Sequence, residues 1–256
     1  MGILNLTEDS FYDGGKHNSI DLALRQTEKM LKEGAFFIDI GVASSKPGSL
    51  LISAKEEIDK LTPFLNKLIQ AFPNTHFSID TYNSEVARES LALGASMIND
   101  ISGGEIDPEM FETVAEFKVP YIMMHMQGTP QYMQQKPRYT DVTKEIKSKL
   151  AERLQIAYKA GINDIIIDPG FGFGKKVSHN FQLLKELKAL HDLRCPIMIG
   201  VSRKSMVYKT LRGNPETALN GTTALHAWGL ERGISILRVH DVKEAKECID
   251  LFSALQ

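Results

Sequence analysis

Eight times along the chain a short apolar run ends at a polar residue and gives way to an amphipathic stretch long enough to be a helix. The runs are Gly2 to Leu4 ending at Asn5, Phe36 to Ile40 containing Asp39, Phe77 to Ile79 ending at Asp80, and Met97 to Ile98 ending at Asn99. They continue with Tyr121 to Met124 ending at His125, Ile165 to Ile167 ending at Asp168, Ile197 to Val201 ending at Ser202, and Ile236 to Val239 around Arg238 and His240. Strands that read as continuous apolar runs are buried on both faces, as parallel strands are. The spacing predicts helices over 21–33, 55–71, 84–93, 108–117, 141–160, 179–190, 216–232 and 242–255. Gly34, Gly94, Gly161 and Gly233 stand where left-handed C-terminal caps are wanted. Eight such units in 256 residues predict an α/β protein, a single-domain (β/α)8 TIM barrel over residues 1–256. An open doubly wound sheet is the alternative.

Lys and Arg number 30 against 32 Asp and Glu, a net charge of −2. That balance predicts no nucleic-acid partner and makes any polyanion site local. Cys195 and Cys248 cannot build a disulfide framework and have no metal-type spacing, so a reducing compartment is expected. The opening MGILNLTEDSF reaches acidic residues too soon for a signal peptide or a spanning helix. Its Met-Gly start fits only the first letters of a myristoylation signal. The expectation is a cytoplasmic protein without a membrane partner.

The four longest irregular stretches, 6–18, 42–53, 126–138 and 203–215, all follow apolar runs. In a barrel they lie on the C-terminal face, where loops carry function. That face would gather Asn5, Asp80, Asn99, His125, Asp168, Lys204, Arg238 and His240. A carboxylate beside an amide at the base of an apolar pocket suits a flat heterocycle with adjacent donors and acceptors, since unpaired buried polar groups are costly. Met124 and Phe173 would supply apolar walls. Arg238 and His240 precede a helix start near Val242, the usual phosphate position in barrels. Single residues have plainer readings: Asp80 and Asn99 as helix caps, His125 as a hydrogen-bonded strand end. The stretch Asp168 to Lys175 is glycine-rich but fails the phosphate-loop spacing, with Lys176 where Ser or Thr should follow.

Seven ordered segments, Met1–Phe11, Ser78–Tyr82, Ile98–Gly103, Met124–His125, Ile167–Lys175, Ser202–Ser205 and Arg238–Asp241, resemble the dihydropteroate synthase family across essentially the whole chain. The resemblance implies condensation of 6-hydroxymethyl-7,8-dihydropterin pyrophosphate with p-aminobenzoate, through a pterin carbocation, to give 7,8-dihydropteroate and pyrophosphate. By motif position Asp80, Asn99, Asp168 and Lys204 would hold the pterin, with Met124 and Phe173 against its ring. Asn5 would bind Mg2+, and Lys46, Arg238 and His240 the pyrophosphate. Phe11, Ser45, Pro47 and Ser202 would form the p-aminobenzoate pocket. Asp80, Asp168, Lys204, Arg238 and His240 would be the catalytic set. A homodimer is implied through the helical exterior, where Trp228, Leu225 and Leu230 are candidates.

The chain departs from the family at Lys46, usually arginine, Ser45, usually threonine, and Glu8, usually proline. Lysine keeps the charge but loses the planar fork that binds phosphate oxygens bidentately, which bears on substrate affinity and on sulfonamide sensitivity. The alternatives are a methyltetrahydrofolate-dependent methyltransferase barrel and a non-catalytic pterin-binding protein.

Overall fold

The computed structural model describes residues 1–6, 16–42, 52–135 and 137–255. Strands β1 (Gly2–Asn5), β2 (Phe37–Gly41), β3 (His76–Asp80), β4 (Met97–Asp100), β5 (Tyr121–Met124) and β6 (Ile165–Asp168) pair in sequence order, all parallel. Strands β7 (Met198–Ile199) and β8 (Ile236–Leu237) form a second parallel pair. Single parallel bridges from Ile167 to Ile197 and from Gly2 to Val239 join the two sheets at both seams. The last seam is reinforced by Ile3 N–H to Val239 O and Val239 N–H to Met1 O, both 2.9 Å. The ring closes as the predicted eight-stranded barrel, and the open-sheet alternative is set aside.

Alternation along the strands decides what each face does, because successive side chains point to opposite sides. Ile38, Ile40, Phe77, Ile79, Ile98, Tyr121, Met123, Ile165, Ile167 and Leu237 join the large core shared with the surrounding helices. The intervening residues point inward. Met97, Ile122, Ile166 and Met198 form a separate apolar layer with Phe37, Ile236 and Met1. Two residues further along the same face come Asp39, Asn99, Met124, Asp168, Gly200 and Arg238. An apolar plug thus fills the barrel, and a mostly polar layer sits directly above it.

The helices are α1 (Lys16–Lys32), α2 (Ala54–Ala71), α3 (Ser84–Leu93), α4 (Met110–Phe117), α5 (Val142–Ala160), α6 (Val177–Lys185), α7 (Ser205–Thr210), α8 (Leu219–Glu231) and α9 (Val242–Ser253). Ser53 and Asp141 cap α2 and α5 by accepting from Glu56 and Lys144 N–H. The four expected cap glycines all have positive φ, from 80° at Gly233 to 114° at Gly94.

Two expectations need correction. The helix predicted over 179–190 is α6 followed by a 3-10 helix, Leu187–Leu193; an apolar spacing alone does not distinguish these two windings. The stretch 203–215, read as irregular, contains α7, whose six residues are too few to show a period. Trp228 is half exposed, its ring covered by the Arg232 guanidinium at 3.7 Å, while Leu225 and Leu230 pack partly into the core.

Candidate active site

At the centre of the polar layer one guanidinium is shared by two carboxylates. Arg238 Nε donates to Asp39 Oδ2 at 2.6 Å and Nη2 to Asp80 Oδ2 at 2.7 Å. The same Asp39 oxygen accepts from Asn99 Nδ2 at 2.9 Å. Asp39 is wholly buried, and its second oxygen has no partner among the described residues. Arg238 Nη1 likewise has none, which leaves one end of the guanidinium available to a ligand. Burial works against the guanidinium charge, but Asp39 and Asp80 outweigh it and hold the Arg238 pKa above its ordinary value. Burial raises the Asp80 carboxyl to about 7, against the pull of Arg238.

A second group comes from β6 and the loop after β7. Asp168 is buried and accepts from Gly170 N–H at 2.7 Å; burial raises its pKa, opposed chiefly by Lys204. Lys204 donates to the Phe171 carbonyl, and its ammonium lies 4.5 Å from the centre of the Phe173 ring. Burial lowers that ammonium to about 8. Gly200, on the inward face of this region, admits the two long cations: a Cβ there would meet Lys204 Nζ at 3.8 Å and Arg238 Cβ at 3.9 Å.

Met124 and Phe173, predicted as walls, fall in one apolar cluster with Tyr82, Ile101, Met126 and Met133. Ser202 is buried, and His240 stands at the exposed rim beside it. Ser202 Oγ accepts from the His240 backbone N–H at 3.2 Å and lies 3.1 Å from Nδ1. The hydroxyl, with one proton and two lone pairs, can serve either tautomer of the His240 ring. Arg203 holds this corner by a double contact to Asp241, both bonds at 2.8 Å.

The structure therefore brings together Asp80, Asn99, Met124, Asp168, Phe173, Lys204, Arg238, Ser202 and His240. Asn5 ends β1 with its side chain exposed. Phe11, Ser45, Lys46, Pro47 and Glu8 lie outside the described residues. His125 faces away from a ligand role, its ring taken by Lys175 at 3.1 Å, and burial lowers its pKa to about 3.

Asp39 is the residue that reading the strand ends passed over. Its signal was present: like Arg238 it is a charge inside an apolar run, and a buried charge demands a partner. Removing it with Asp39→Ala should cost about 3–5 kcal/mol of stability, because Arg238 and Asn99 are left buried and short of a partner. Urea unfolding measures this; a loss under about 1 kcal/mol would contradict the geometry.

Comparison with known proteins shows the family to which the whole chain belongs. The family described as pterin binding enzyme fits residues 1–240. The dihydropteroate synthase of Escherichia coli K12 is 41% identical over 256 residues, covering 99% of this chain and 90% of the relative. The Yersinia pestis dihydropteroate synthase, solved with a sulfonamide drug complex, superposes with a TM-score of 0.93 at 42% identity, over 100% of this chain and 93% of its own. The Clostridium difficile enzyme, solved in the presence of pteroic acid, gives 0.93 at 36% identity, over 100% and 95%. Matches of this length and identity set aside the methyltransferase and non-catalytic alternatives: the chain belongs to the pterin-binding enzymes and, within them, to the dihydropteroate synthase family.

Proposed function

We propose that this chain condenses 6-hydroxymethyl-7,8-dihydropterin pyrophosphate with p-aminobenzoate to give 7,8-dihydropteroate and pyrophosphate. The observation that carries the reading is the juxtaposition of Asp80, Asn99 and Asp168 with the Met124–Phe173 cluster, and of Arg238 and His240 with that group. Carboxylates and an amide at the base pair with the N–H and carbonyl edge of a pterin, and the apolar cluster packs on its flat face. Lys204, between Asp168 and the Phe173 ring, donates to a ring acceptor.

Reaction begins as the bond between the exocyclic methylene carbon and oxygen breaks, the electron pair leaving with pyrophosphate. The electron-rich pterin carries the positive charge left on the methylene. The p-aminobenzoate nitrogen then uses its lone pair to form the new C–N bond and releases one proton to solvent. No protein nucleophile is consumed, so catalysis is positioning plus electrostatics. Arg238 Nη1, which has no partner among the described residues, and a ring N–H of His240 donate to the departing phosphate oxygens. Lys46 adds charge from the loop after β2, and Phe11, Ser45, Pro47 and Ser202 enclose the p-aminobenzoate.

The residues present fit a magnesium ion held mainly by substrate. Asn5 offers one exposed amide oxygen at the rim, and no group of three His, Cys, Asp or Glu side chains suited to a metal occurs among the described residues. When bound there, Mg2+ would neutralise charge developing on the pyrophosphate.

Two further features complete the reading. A groove between α8 and α9, lined by Leu219, Ala227, Cys248, Leu251 and Phe252, with Leu251 71% exposed, supports a homodimer through the helical exterior. Two unpaired cysteines support a reducing, cytoplasmic location. No helix among the described residues is long and apolar enough to cross a membrane.

Asp168→Asn should weaken pterin binding about 10- to 150-fold, the worth of charge-assisted hydrogen bonds, while leaving the unfolding midpoint within a few degrees. Fluorescence titration with a pterin and a thermal melt check this; wild-type affinity would refute the assignment. Pterin affinity should also fall as pH drops below about 7. Ligand N–H donors favour ionised Asp80, so binding lowers its pKa and releases a proton, and protonation of the empty site competes. Affinity measured from pH 5.5 to 8.5 should show that fall, and a flat profile would contradict it.

A further inference from the structure

The glycine-rich loop after β6 has a lysine where a phosphate-binding loop would, yet the ammonium turns the other way. Lys175 is 3% exposed. Its Nζ donates to Gly170 O at 2.8 Å and Phe173 O at 3.0 Å, and meets His125 Nδ1 at 3.1 Å and His125 O at 3.3 Å. Three protons are thus committed to its own loop and to the residue that follows β5, and none is left for a ligand. Burial lowers the ammonium to about 7, a shift that the charge of Asp168 opposes only in part.

These contacts tie together the two loops that supply the apolar cluster of the pterin pocket. Gly170, whose carbonyl Lys175 holds, donates its N–H to Asp168 Oδ1. Phe173, whose carbonyl is held by the same ammonium, supplies one wall. The loop lies flush against the β5 exit: a Cβ at Gly170 would stand 1.9 Å from His125 O, and one at Gly174 2.5 Å from Gln127 O. Met124 and Met126, in the same cluster as Phe173, flank His125.

We propose that Lys175 is a positioning residue for pterin recognition: without touching the pterin, its ammonium ties the 170–174 loop to the end of β5 and thereby fixes the Asp168 carboxylate and the Phe173 ring. The proposal rests on the pterin reading above and extends it. The residues proposed for p-aminobenzoate come from other segments of the sequence, so the two substrates should respond differently.

The test compares the unmodified full chain with Lys175→Met, which keeps the volume and loses the donors. A pterin Kd raised at least tenfold, a KM for p-aminobenzoate within twofold of wild type, and faster hydrogen exchange at the Gly170 and Gly172 amides are expected. In Lys175→Ala, propylammonium, which replaces the missing atoms, should restore pterin affinity, and 1-propanol should not. Unchanged pterin affinity in folded Lys175→Met would overturn the proposal. So would equal weakening of both substrates in step with a lowered unfolding midpoint, or failure of both variants to fold even with propylammonium. An unmodified chain that binds no pterin would instead defeat the reading of the site itself.

Discussion

The site depends on one largely buried charge held between two others. Arg238 lies across the top of the barrel's apolar plug and bonds Asp39 from β2 and Asp80 from β3, spanning 199 and 158 residues of sequence. Asp39 also holds the Asn99 amide of β4. The ends of β8, β2, β3 and β4 are thereby fixed by one hydrogen-bonded network, and the orientation of the groups proposed to face the pterin on that side follows from it. Such a network is costly to desolvate and strongly destabilising to break, which makes it a device for specifying geometry more than for adding stability.

The barrel makes the network possible by alternation. Along each strand one face feeds the helical core and the other the interior, and the interior face changes from apolar to polar over two residues, as from Phe37 to Asp39, Met97 to Asn99, Ile166 to Asp168 and Ile236 to Arg238. The apolar layer closes the base, and the layer above faces the loops. Lys175 and Lys204 then secure the 170–174 loop from its two sides, one through Gly170 and Phe173, the other through Phe171. Binding surface and scaffold are here consecutive positions on the same strands.

Much of this was legible in the sequence, for identifiable reasons. The count of apolar runs with intervening helices gave the barrel, because parallel strands buried on both faces leave a continuous apolar signal. Asp80, Asn99 and Asp168 stand out because each closes such a run, and Arg238 because it interrupts one. Asp39 escaped because β2 continues two residues past it to Gly41, so a reading of strand ends skipped it. Lys175 was noticed for its motif, but whether a lysine faces a phosphate or its own loop depends on the path of three glycines with positive φ, Gly170, Gly172 and Gly174, which spacing cannot reveal. The short helix α7 was hidden for want of length. Phe11, Ser45, Lys46 and Pro47 sit in the loops after β1 and β2, outside the described residues, and their roles rest on motif position.

The central claim is that an amine attacks a pterin cation held above this network. The most direct measurement is pyrophosphate release from dihydropterin pyrophosphate with Mg2+, in the presence and absence of p-aminobenzoate, with product identified by mass. The account predicts one 7,8-dihydropteroate formed for each pyrophosphate released in the presence of the arylamine. Pterin binding without arylamine-dependent turnover would contradict it, showing the pterin site retained and the condensation lost.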